Sequence, residues 1–335
     1  MIPIYLTIIN LITFVLYGTD KKKAIDDKFR IPERVLIFFA VIGGAFGAFL
    51  GMHIFHHKTK KKKFYITIPV FLILWTVLII WGYYQNHHIV STKYNYQNDK
   101  IDEALDGYTI VQISDLHNQF FGFDDKNLTK SVKAANPDMI VLTGDTIDSS
   151  HESYKRTLKF LKDISELAPV YFITGNHEKW LEKKKPEKIN DFYKDIEEAG
   201  INIIDNEVVE ISDGFYLIGL ADDELGGSRL RVLTENLSND SLKILLAHEP
   251  KYYDNYSACG VDLVLTGHVH GGQFIIPGKG GFVSPEFTFF PELYEGEHIY
   301  GNTTMIISRG LGNSLIPLRI NNYPELVIIK LNKKQ

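Results

Sequence analysis

The hydrophobic positions follow two different patterns along the chain. The first 84 residues contain three long apolar runs, whereas from residue 108 onward short apolar runs alternate with amphipathic stretches. Residues 64–84 carry no charge over 21 positions, and a helix of that length, at ~1.5 Å per residue, crosses a hydrocarbon core of ~30 Å. The pattern predicts an N-terminal membrane module followed by an α/β domain.

The other two apolar runs leave the topology of the module open. Residues 2–18 form a shorter run, and residues 35–55 form a run that contains Gly43, Gly44, Gly47 and Gly51. These glycines permit either close helix packing or a bent, re-entrant hairpin. If residues 35–55 span the membrane, one of the basic loops 20–34 and 58–63 lies outside, against the positive-inside tendency. A hairpin keeps both loops inside.

Lysine placement predicts which side of the membrane each part occupies. Five lysines precede residue 64, and such a cluster favours the cytoplasmic face. We therefore expect a multi-pass protein of the cell membrane with an extracytoplasmic C-terminal domain. No basic segment precedes residues 2–18, so a cleaved signal peptide is not expected. His53, His56 and His57 are interpreted as interfacial histidines rather than a metal site.

Four motifs carry a resemblance in the N-terminal part. They are Tyr-Gly-Thr-Asp-Lys at 17–21, Arg-Ile-Pro-Glu-Arg at 30–34, Gly-Gly-Ala-Phe-Gly-Ala-Phe-Leu-Gly-Met at 43–52 and His-Lys-Thr-Lys-Lys at 57–61. Over most of residues 10–75 they resemble a family of small bacterial membrane proteins without an assigned function. The resemblance implies membrane residence but no chemistry.

The remaining chain divides into a linker and a layered domain. Residues 85–106 are polar and are predicted to form a short tether and an edge strand, which leaves residues 107–335 as the second domain. Its predicted strands are 108–113, 139–142, 170–173, 215–220, 244–247, 263–265, 305–307 and 326–329. Its predicted helices are 128–135, 154–166, 189–199 and 230–237. Alternation of this kind indicates an α/β fold.

Charge and cysteine content exclude several functions. Residues 1–91 hold 11 basic and 4 acidic residues, so of the chain's 36 and 41, 25 and 37 remain in residues 92–335, a net charge of −12. An acidic domain is a poor surface for polyanions, so nucleic acid is not expected as a partner. The single Cys259 excludes an internal disulfide framework and a cysteine-based zinc site.

The candidate chemistry lies directly after apolar strands. Five successive strand ends carry aspartate, asparagine or histidine side chains. They are Asp115 and His117, Asp145, Asn176 and His177, His248, and His268 and His270. One such residue is usually a turn or a cap, but five in order indicate a metal centre. Carboxylate, amide and imidazole ligands without thiolate suit Mn, Fe or Zn.

These motifs resemble the calcineurin-like metallophosphoesterase superfamily over residues 107–332. Gly-His-Val-His-Gly-Gly-Gln at 267–273 and Ser-Arg-Gly-Leu-Gly-Asn at 308–313 look like its bacterial YkuE-like branch. The resemblance implies a four-layer α-β-β-α sandwich and two divalent metal ions. It assigns Asp115, His117, Asp145 and His270 to one ion, and Asp145, Asn176, His248 and His268 to the other. Two such ions can share a hydroxide and lower its pKa.

The resemblance also implies roles for residues that bind no metal. His177 matches a position that protonates the leaving oxygen or stabilises the transition state, and Asp148 matches the carboxylate that orients it; Asp148 is alternatively a helix cap. Protein phosphatases of this superfamily have arginines where this chain has Ser149 and Thr174, so a protein substrate is not expected. Asn118, Arg309 and Arg319 are candidates to contact substrate, with structural hydrogen bonds or salt bridges as the alternative.

The sequence therefore predicts a membrane-anchored, metal-dependent phosphodiesterase or phosphomonoesterase. Lipid, pyrophosphate-linked lipid or envelope phosphoesters are favoured, because the tether keeps the site close to the bilayer. One alternative is a membrane scaffold or sensor with a vestigial fold, whose signature would be a broken ligand set. The other is a nuclease, which a basic groove would indicate.

Overall fold

The computed structural model describes residues 2–122, 125–150, 153–224, 227–313 and 318–334. It divides into two compact units, Met1–Tyr84 and Gln85–Gln335. The first unit is helical: α1 (Ile2–Ile25), α2 (Glu33–Phe39), a π-helical turn (Ala40–Gly44), α3 (Ala45–Ile54) and the start of α4 (Lys62–His87).

The glycines of the first unit both bend the chain and allow close packing. Gly43 has a φ of 118° and interrupts the helical segment between α2 and α3. On α3, a Cβ on Gly47 would lie 2.0 Å from the carbonyl oxygen of Asn10, and a Cβ on Gly51 would lie 2.8 Å from the Cβ of Tyr17. The spacing of Gly43, Gly47 and Gly51 thus places α3 directly along α1.

The bend brings the two basic loops together. Helices Glu33–Ile54 and Lys62–His87 are each long and apolar enough to cross a membrane. A straight helix of 22 residues would be roughly 33 Å long, yet Lys58 Nζ lies 2.8 Å from Glu33 Oε1. The two arms on either side of Gly43 must therefore fold back on each other. The structure favours the hairpin interpretation of residues 35–55 over a simple span.

A group of charged and polar side chains around the buried Asp20, here called the Asp20 cluster, joins these loops. The Asp20 carboxylate lies 2.7 Å from His57 Nε2 and 3.1 Å from an Arg30 nitrogen, and it accepts a hydrogen bond from the Ile31 amide. Its other members are Glu33, Lys58 and Lys61. His57 is thus buried against the Asp20 carboxylate, a contact with α1 that residue spacing does not reveal.

The second unit contains two six-stranded sheets. The first has the order β1-β14-β2-β3-β4-β5, with strands Val90–Asn98, Glu325–Lys333, Thr109–Ile113, Met139–Thr143, Val170–Ile173 and Ile201–Ile203. The second has the order β12-β13-β9-β8-β7-β6, with strands Gly296–Tyr300, Thr303–Ile307, Leu263–Thr266, Leu242–Leu246, Phe215–Gly219 and Val208–Ser212. A short hairpin pairs β10 (Ile275–Ile276) with β11 (Gly280–Gly281).

Helices cover the outer faces of both sheets. They are α5 (Lys126–Ala135), α6 (Lys155–Ser165), α7 (Asn176–Lys184), α8 (Pro186–Glu198), α9 (Ser228–Thr234) and α10 (Tyr253–Ala258). One apolar core lies between the sheets and includes Val141 and Ile244; others bury Phe160 of α6 on the first sheet and Tyr256 of α10 on the second. The predicted α/β fold is confirmed, and its layers run helix, sheet, sheet, helix.

Strand direction positions the candidate site. β2, β3 and β4 run parallel in the first sheet, and β8 and β9 run parallel in the second. The carboxyl ends of parallel strands meet at one edge, so the loops that follow them converge there. The connection into this domain is shorter than the tether expected for residues 85–106, because α4 continues to His87 and the edge strand β1 begins at Val90.

Candidate metal centre

The loops after β2, β3 and β9 hold their polar residues in an unusual backbone conformation. Asp115, His117, Asp145, His268 and His270 all have positive φ, between 48° and 68°. This region disfavours side chains with a Cβ by about 1–2 kcal/mol per residue. Such strain persists only where the surroundings enforce it, and it concentrates at functional sites.

One group of ligand-type atoms combines Asp115, His117 and His270. The Nε2 atoms of His117 and His270 lie 3.1 Å apart. Asp115 Oδ1 lies 3.5 Å from His270 Nε2. All three side chains are buried.

A second group combines Asn176, His248 and His268. His248 Nε2 lies 3.1 Å from Asn176 Oδ1 and 3.1 Å from His268 Nδ1. Asp145 Oδ2 lies 3.3 Å from this His248 nitrogen and 3.6 Å from His117 Nε2 in the first group. One carboxylate oxygen of Asp145 therefore adjoins both groups.

The hydrogen bonds on the far side of the imidazoles fit metal binding. His248 Nδ1 is 2.8 Å from the Thr143 carbonyl oxygen, and His270 Nδ1 is 3.3 Å from the Gly312 carbonyl oxygen. Each Nδ1 therefore carries the proton that it donates, and in the neutral ring each Nε2 keeps a lone pair that can bind metal. Donors around one ion at ~2.0–2.2 Å lie about 3.0–3.5 Å apart, the spacing observed in both groups. Facing lone pairs repel unless a cation lies between them. The donor set therefore fits two divalent ions.

Burial and the facing charges shift the pKa values of these ligand residues. It lowers the pKa of His117 to about 4, and with His117 and Arg319 nearby it holds the pKa of His270 well below the usual range. Burial opposes ionisation of Asp145, but the facing His248 and His117 hold its pKa well below the usual range. Neutral imidazoles and an ionised carboxylate are the forms that bind metal, so His117, His270 and Asp145 are ready to do so. Burial lowers the pKa of His248, but the facing Asp145 raises it well above the usual range, so His248 must release a proton when metal binds.

His177 lies beside this centre with its ring 4.6 Å from that of His117. Its Nδ1 accepts a hydrogen bond from the Ser149 amide at 3.1 Å, and Asp148 Oδ1 lies 3.7 Å from the same nitrogen. Burial lowers the pKa of His177, but Asp148 and Asp145 raise it to about 9. The neutral ring that accepts from Ser149 carries its proton on Nε2, and the cation that Asp148 favours carries one on each nitrogen, so Nε2 is protonated in both forms.

The three residues expected to contact substrate have structural partners. Asn118 Oδ1 accepts a hydrogen bond from Thr157, and Arg309 pairs with Glu325 at 2.9 Å. Arg319 is buried and donates to the carbonyl oxygens of Arg309 and Gly312. These contacts favour the structural alternative for all three residues. At the positions where protein phosphatases carry arginines, the Thr174 side chain donates to Asp205, and the Ser149 amide holds His177.

Two acidic residues that support the centre were not predicted as site residues. Glu178 accepts hydrogen bonds from the amides of Asp145, Ile147 and Gly175, so it ties together the loops after β3 and β4. Its place directly after Asn176 and His177 was the available signal. Glu286 lies 2.5 Å from His268 Nε2, where a carboxylate fixes the tautomer that leaves Nδ1 as the ligand atom. Nothing in the sequence around Glu286 indicates this contact.

Two family models match this chain, one in each unit. Residues 108–272 match the calcineurin-like phosphoesterase family, and residues 10–64 match a protein family of unknown function, DUF1294. The metallophosphoesterase YkuE of Bacillus subtilis is 29% identical over 74% of this chain and 87% of its own length. Cj0846 of Campylobacter jejuni, also described as a metallophosphoesterase, is 27% identical over 95% of this chain and 84% of its own length.

Two further comparisons concern the N-terminal part and the solved structures. YsdA of Bacillus subtilis is 43% identical over 24% of this chain and 89% of its own length. Among solved structures, a dimetal phosphatase from Danio rerio covers 62% of this chain and 88% of its own, with 10% identity and a TM-score of 0.40. The resemblances predicted from the sequence motifs are confirmed: the chain carries a calcineurin-like phosphoesterase domain, a phosphoester hydrolase, behind a DUF1294 segment.

Proposed function

We propose that this protein is a membrane-anchored phosphoesterase with a dinuclear metal centre and an extracytoplasmic active site. The observation that carries the proposal is the position of Asp145 Oδ2, within 3.6 Å of nitrogen donors from both ligand groups. A carboxylate in that position can bridge two ions. The proposed ligands are Asp115, His117, Asp145 and His270 for one ion, and Asp145, Asn176, His248 and His268 for the other.

The residues around the ions have separable tasks. A bound pair of divalent ions supplies charge that stabilises a phosphoryl transition state and lowers the pKa of water. His177 holds a proton at Nε2 and gives it to the leaving oxygen. The pKa of about 9 at His177 falls when divalent charge is bound nearby, because like charges oppose protonation. Asp148 and the Ser149 amide position the ring.

The proposed substrates are phosphodiesters or pyrophosphate-linked lipids of the cell envelope. α4 is a 26-residue apolar helix, and only two residues separate its end from β1. A membrane-spanning α4 would thus confine the domain to the bilayer surface. The net charge of −12 on residues 92–335 makes a nuclease unfavourable.

One experiment tests hydrolysis, metal dependence and sidedness together. Wall-stripped bacterial cells producing the full chain are supplied with Mn²⁺ and bis(p-nitrophenyl) phosphate, with and without EDTA, before and after lysis. Neither the anionic substrate nor EDTA readily crosses a membrane. We expect hydrolysis in intact cells nearly equal to that after lysis, abolished by EDTA, and absent from empty-vector cells.

Each other result rejects one part of the proposal. Hydrolysis that appears only after lysis would place the domain in the cytoplasm and remove the envelope substrates. Hydrolysis that persists in EDTA would reject the metal centre. If the lysate is no more active than the empty-vector control, the phosphoesterase proposal is rejected and the scaffold or sensor alternative remains.

A further inference from the structure

Exposed phenylalanines gather at one place on the second unit. Within the described part of residues 85–335, seven large apolar side chains are exposed, and three of them are Phe287, Phe289 and Phe290. Their exposed fractions are 71%, 62% and 47%. At ~200 Å² per phenylalanine, they present roughly 350 Å² of apolar surface, which is as large as the largest apolar patch on a typical monomeric protein.

The backbone of this segment, residues 284–290, holds the rings outward in a strained conformation. Phe287 and Phe290 have φ values of 61° and 53°, a region that is a genuine outlier for bulky side chains. The Phe287 amide donates to the Ser284 carbonyl oxygen and the Phe290 amide to that of Phe282. The segment, called here the phenylalanine loop, is therefore an ordered projection whose exposed rings are maintained against local preference.

The loop borders the metal centre. Its one charged residue, Glu286, turns toward the centre and contacts His268 Nε2 at 2.5 Å. The residue next to it, Phe287, is the most exposed of the three phenylalanines. The loop thus presents apolar rings to the outside while its single carboxylate holds a proposed metal ligand.

The rest of the chain favours a lipid surface as the partner of these rings. α4 is long and apolar enough to cross a bilayer, and the domain begins within a few residues of its end. A domain anchored in this way would always lie close to a lipid surface. Phenylalanines are among the residues that form the apolar face of segments lying at the headgroup boundary, and the one charge of this loop, Glu286, is paired with His268.

We propose that the phenylalanine loop inserts into the bilayer surface and brings the phosphate of a lipid headgroup to the metal centre. This inference rests on the membrane-anchored phosphoesterase proposed above and names its substrate class: a phosphoester that carries a long alkyl chain. The loop is a docking element, and Glu286 is a positioning residue that keeps it beside His268.

The first test compares two synthetic substrates with the same scissile bond. Dodecyl p-nitrophenyl phosphate in mixed micelles and methyl p-nitrophenyl phosphate in water differ only in the alkyl chain. We expect the full-length protein to prefer the dodecyl ester at least about tenfold in kcat/KM. The triple variant Phe287→Ser, Phe289→Ser, Phe290→Ser should lose this preference through KM and keep methyl ester activity within about twofold. Val232→Ser with Ile299→Ser, which also removes exposed apolar side chains, is the matched control and should keep the preference.

The second test measures insertion without relying on activity. In a Cys259→Ser background, an environment-sensitive fluorophore is attached at Phe289→Cys or, as a control, at Ile299→Cys, and the full chain is placed in lipid nanodiscs. We expect a nitroxide-labelled lipid to quench the label at position 289 strongly and the label at position 299 weakly. Equal quenching at both positions would overturn the proposal, as would a triple variant that keeps the dodecyl preference.

The two tests separate the inference from the proposed function. If neither ester is hydrolysed by the unaltered protein, the phosphoesterase proposal fails while the quenching result still reports on the loop. Self-quenching between labels at position 289, rising with protein concentration in detergent, would identify the loop as a contact between two copies and reject lipid docking.

Discussion

The Asp20 cluster and the metal centre both bury charged and titratable groups, but the two regions satisfy them differently. In the Asp20 cluster the carboxylate lies 2.7 Å from the His57 ring nitrogen and 3.1 Å from an Arg30 nitrogen, so the buried charge has hydrogen-bond donors as its direct neighbours. In the metal centre, imidazole nitrogens of His117 and His270 face each other at 3.1 Å, as do those of His248 and His268. The Asp20 carboxylate has its hydrogen-bond donors within the protein. In the metal centre, by contrast, imidazole lone pairs are directed at a common point.

This difference shows what identifies a metal site among buried polar groups. The number of histidines and acids is similar in many buried clusters. The direction of the lone pairs distinguishes them, and it is set by hydrogen bonds on the far side of each ring, such as that between His248 Nδ1 and Thr143. Substitutions in the two regions should therefore have different effects.

Asp145→Asn should remove the link between the two ligand groups. The amide keeps one oxygen but loses the charge that both ions share. A metal ion contributes several kcal/mol to charge stabilisation at ~1.36 kcal/mol per tenfold in rate, so kcat/KM should fall about 10³-fold or more. Purified protein should also bind fewer than two metals by elemental analysis. Asp254→Asn, at an exposed position of α10, is the control. Near-normal activity in Asp145→Asn would show that this residue does not bridge.

His177→Ala should separate metal binding from turnover. The variant removes a proton donor but no proposed ligand, and a positioned acid contributes about 10²–10⁴ in rate. We expect kcat to fall within that range while two metals per chain remain. His298→Ala, which alters a histidine of β12, should change neither quantity. Loss of one metal from His177→Ala would instead make His177 a ligand.

Asp20→Asn should affect stability alone. Removing one partner of a buried ion pair typically lowers stability by 3–5 kcal/mol, but Arg30 remains partly exposed, so we expect roughly 2 kcal/mol. Thermal unfolding of the full chain in detergent would detect this loss. Asp26→Asn, whose pair with Lys28 is exposed, is the control. A change in metal content or in hydrolysis of a soluble diester would contradict the view that the Asp20 cluster is a closed, structural group.

The sequence predicted the central strands because they are buried on both faces. Met139–Thr143 and Val170–Ile173 are nearly continuous apolar runs, and such runs are visible without alternation. The edge strand Gly296–Tyr300 was not predicted, since its side chains are half-exposed and mostly polar. α7 was missed for a different reason: Asn176–Lys184 is strongly polar, and its start is fixed by Glu178 rather than by an apolar stripe.

The site residues that lie at strand ends could be predicted from the sequence. Every proposed ligand follows a strand within a few residues, so its position could be read from the hydrophobic pattern. Glu286 could not be found in this way, because its loop lies in irregular chain and reaches His268 only after folding. The contacts of the Asp20 cluster could not be predicted either. They depend on the bend at Gly43, and glycine spacing alone also permitted a straight helix.

The proposed ligands come from both halves of the sandwich, which has a consequence for folding. Asp115, Asp145 and Asn176 follow strands of the first sheet, whereas His248, His268 and His270 follow strands of the second. Ions held by both sets act as a non-covalent cross-link, so metal affinity and the packing of the two sheets are a single linked equilibrium. A substitution that leaves a cavity between the sheets, for example at Ile244, would then weaken metal binding without changing any ligand. Bound metal would in turn oppose the separation of the sheets.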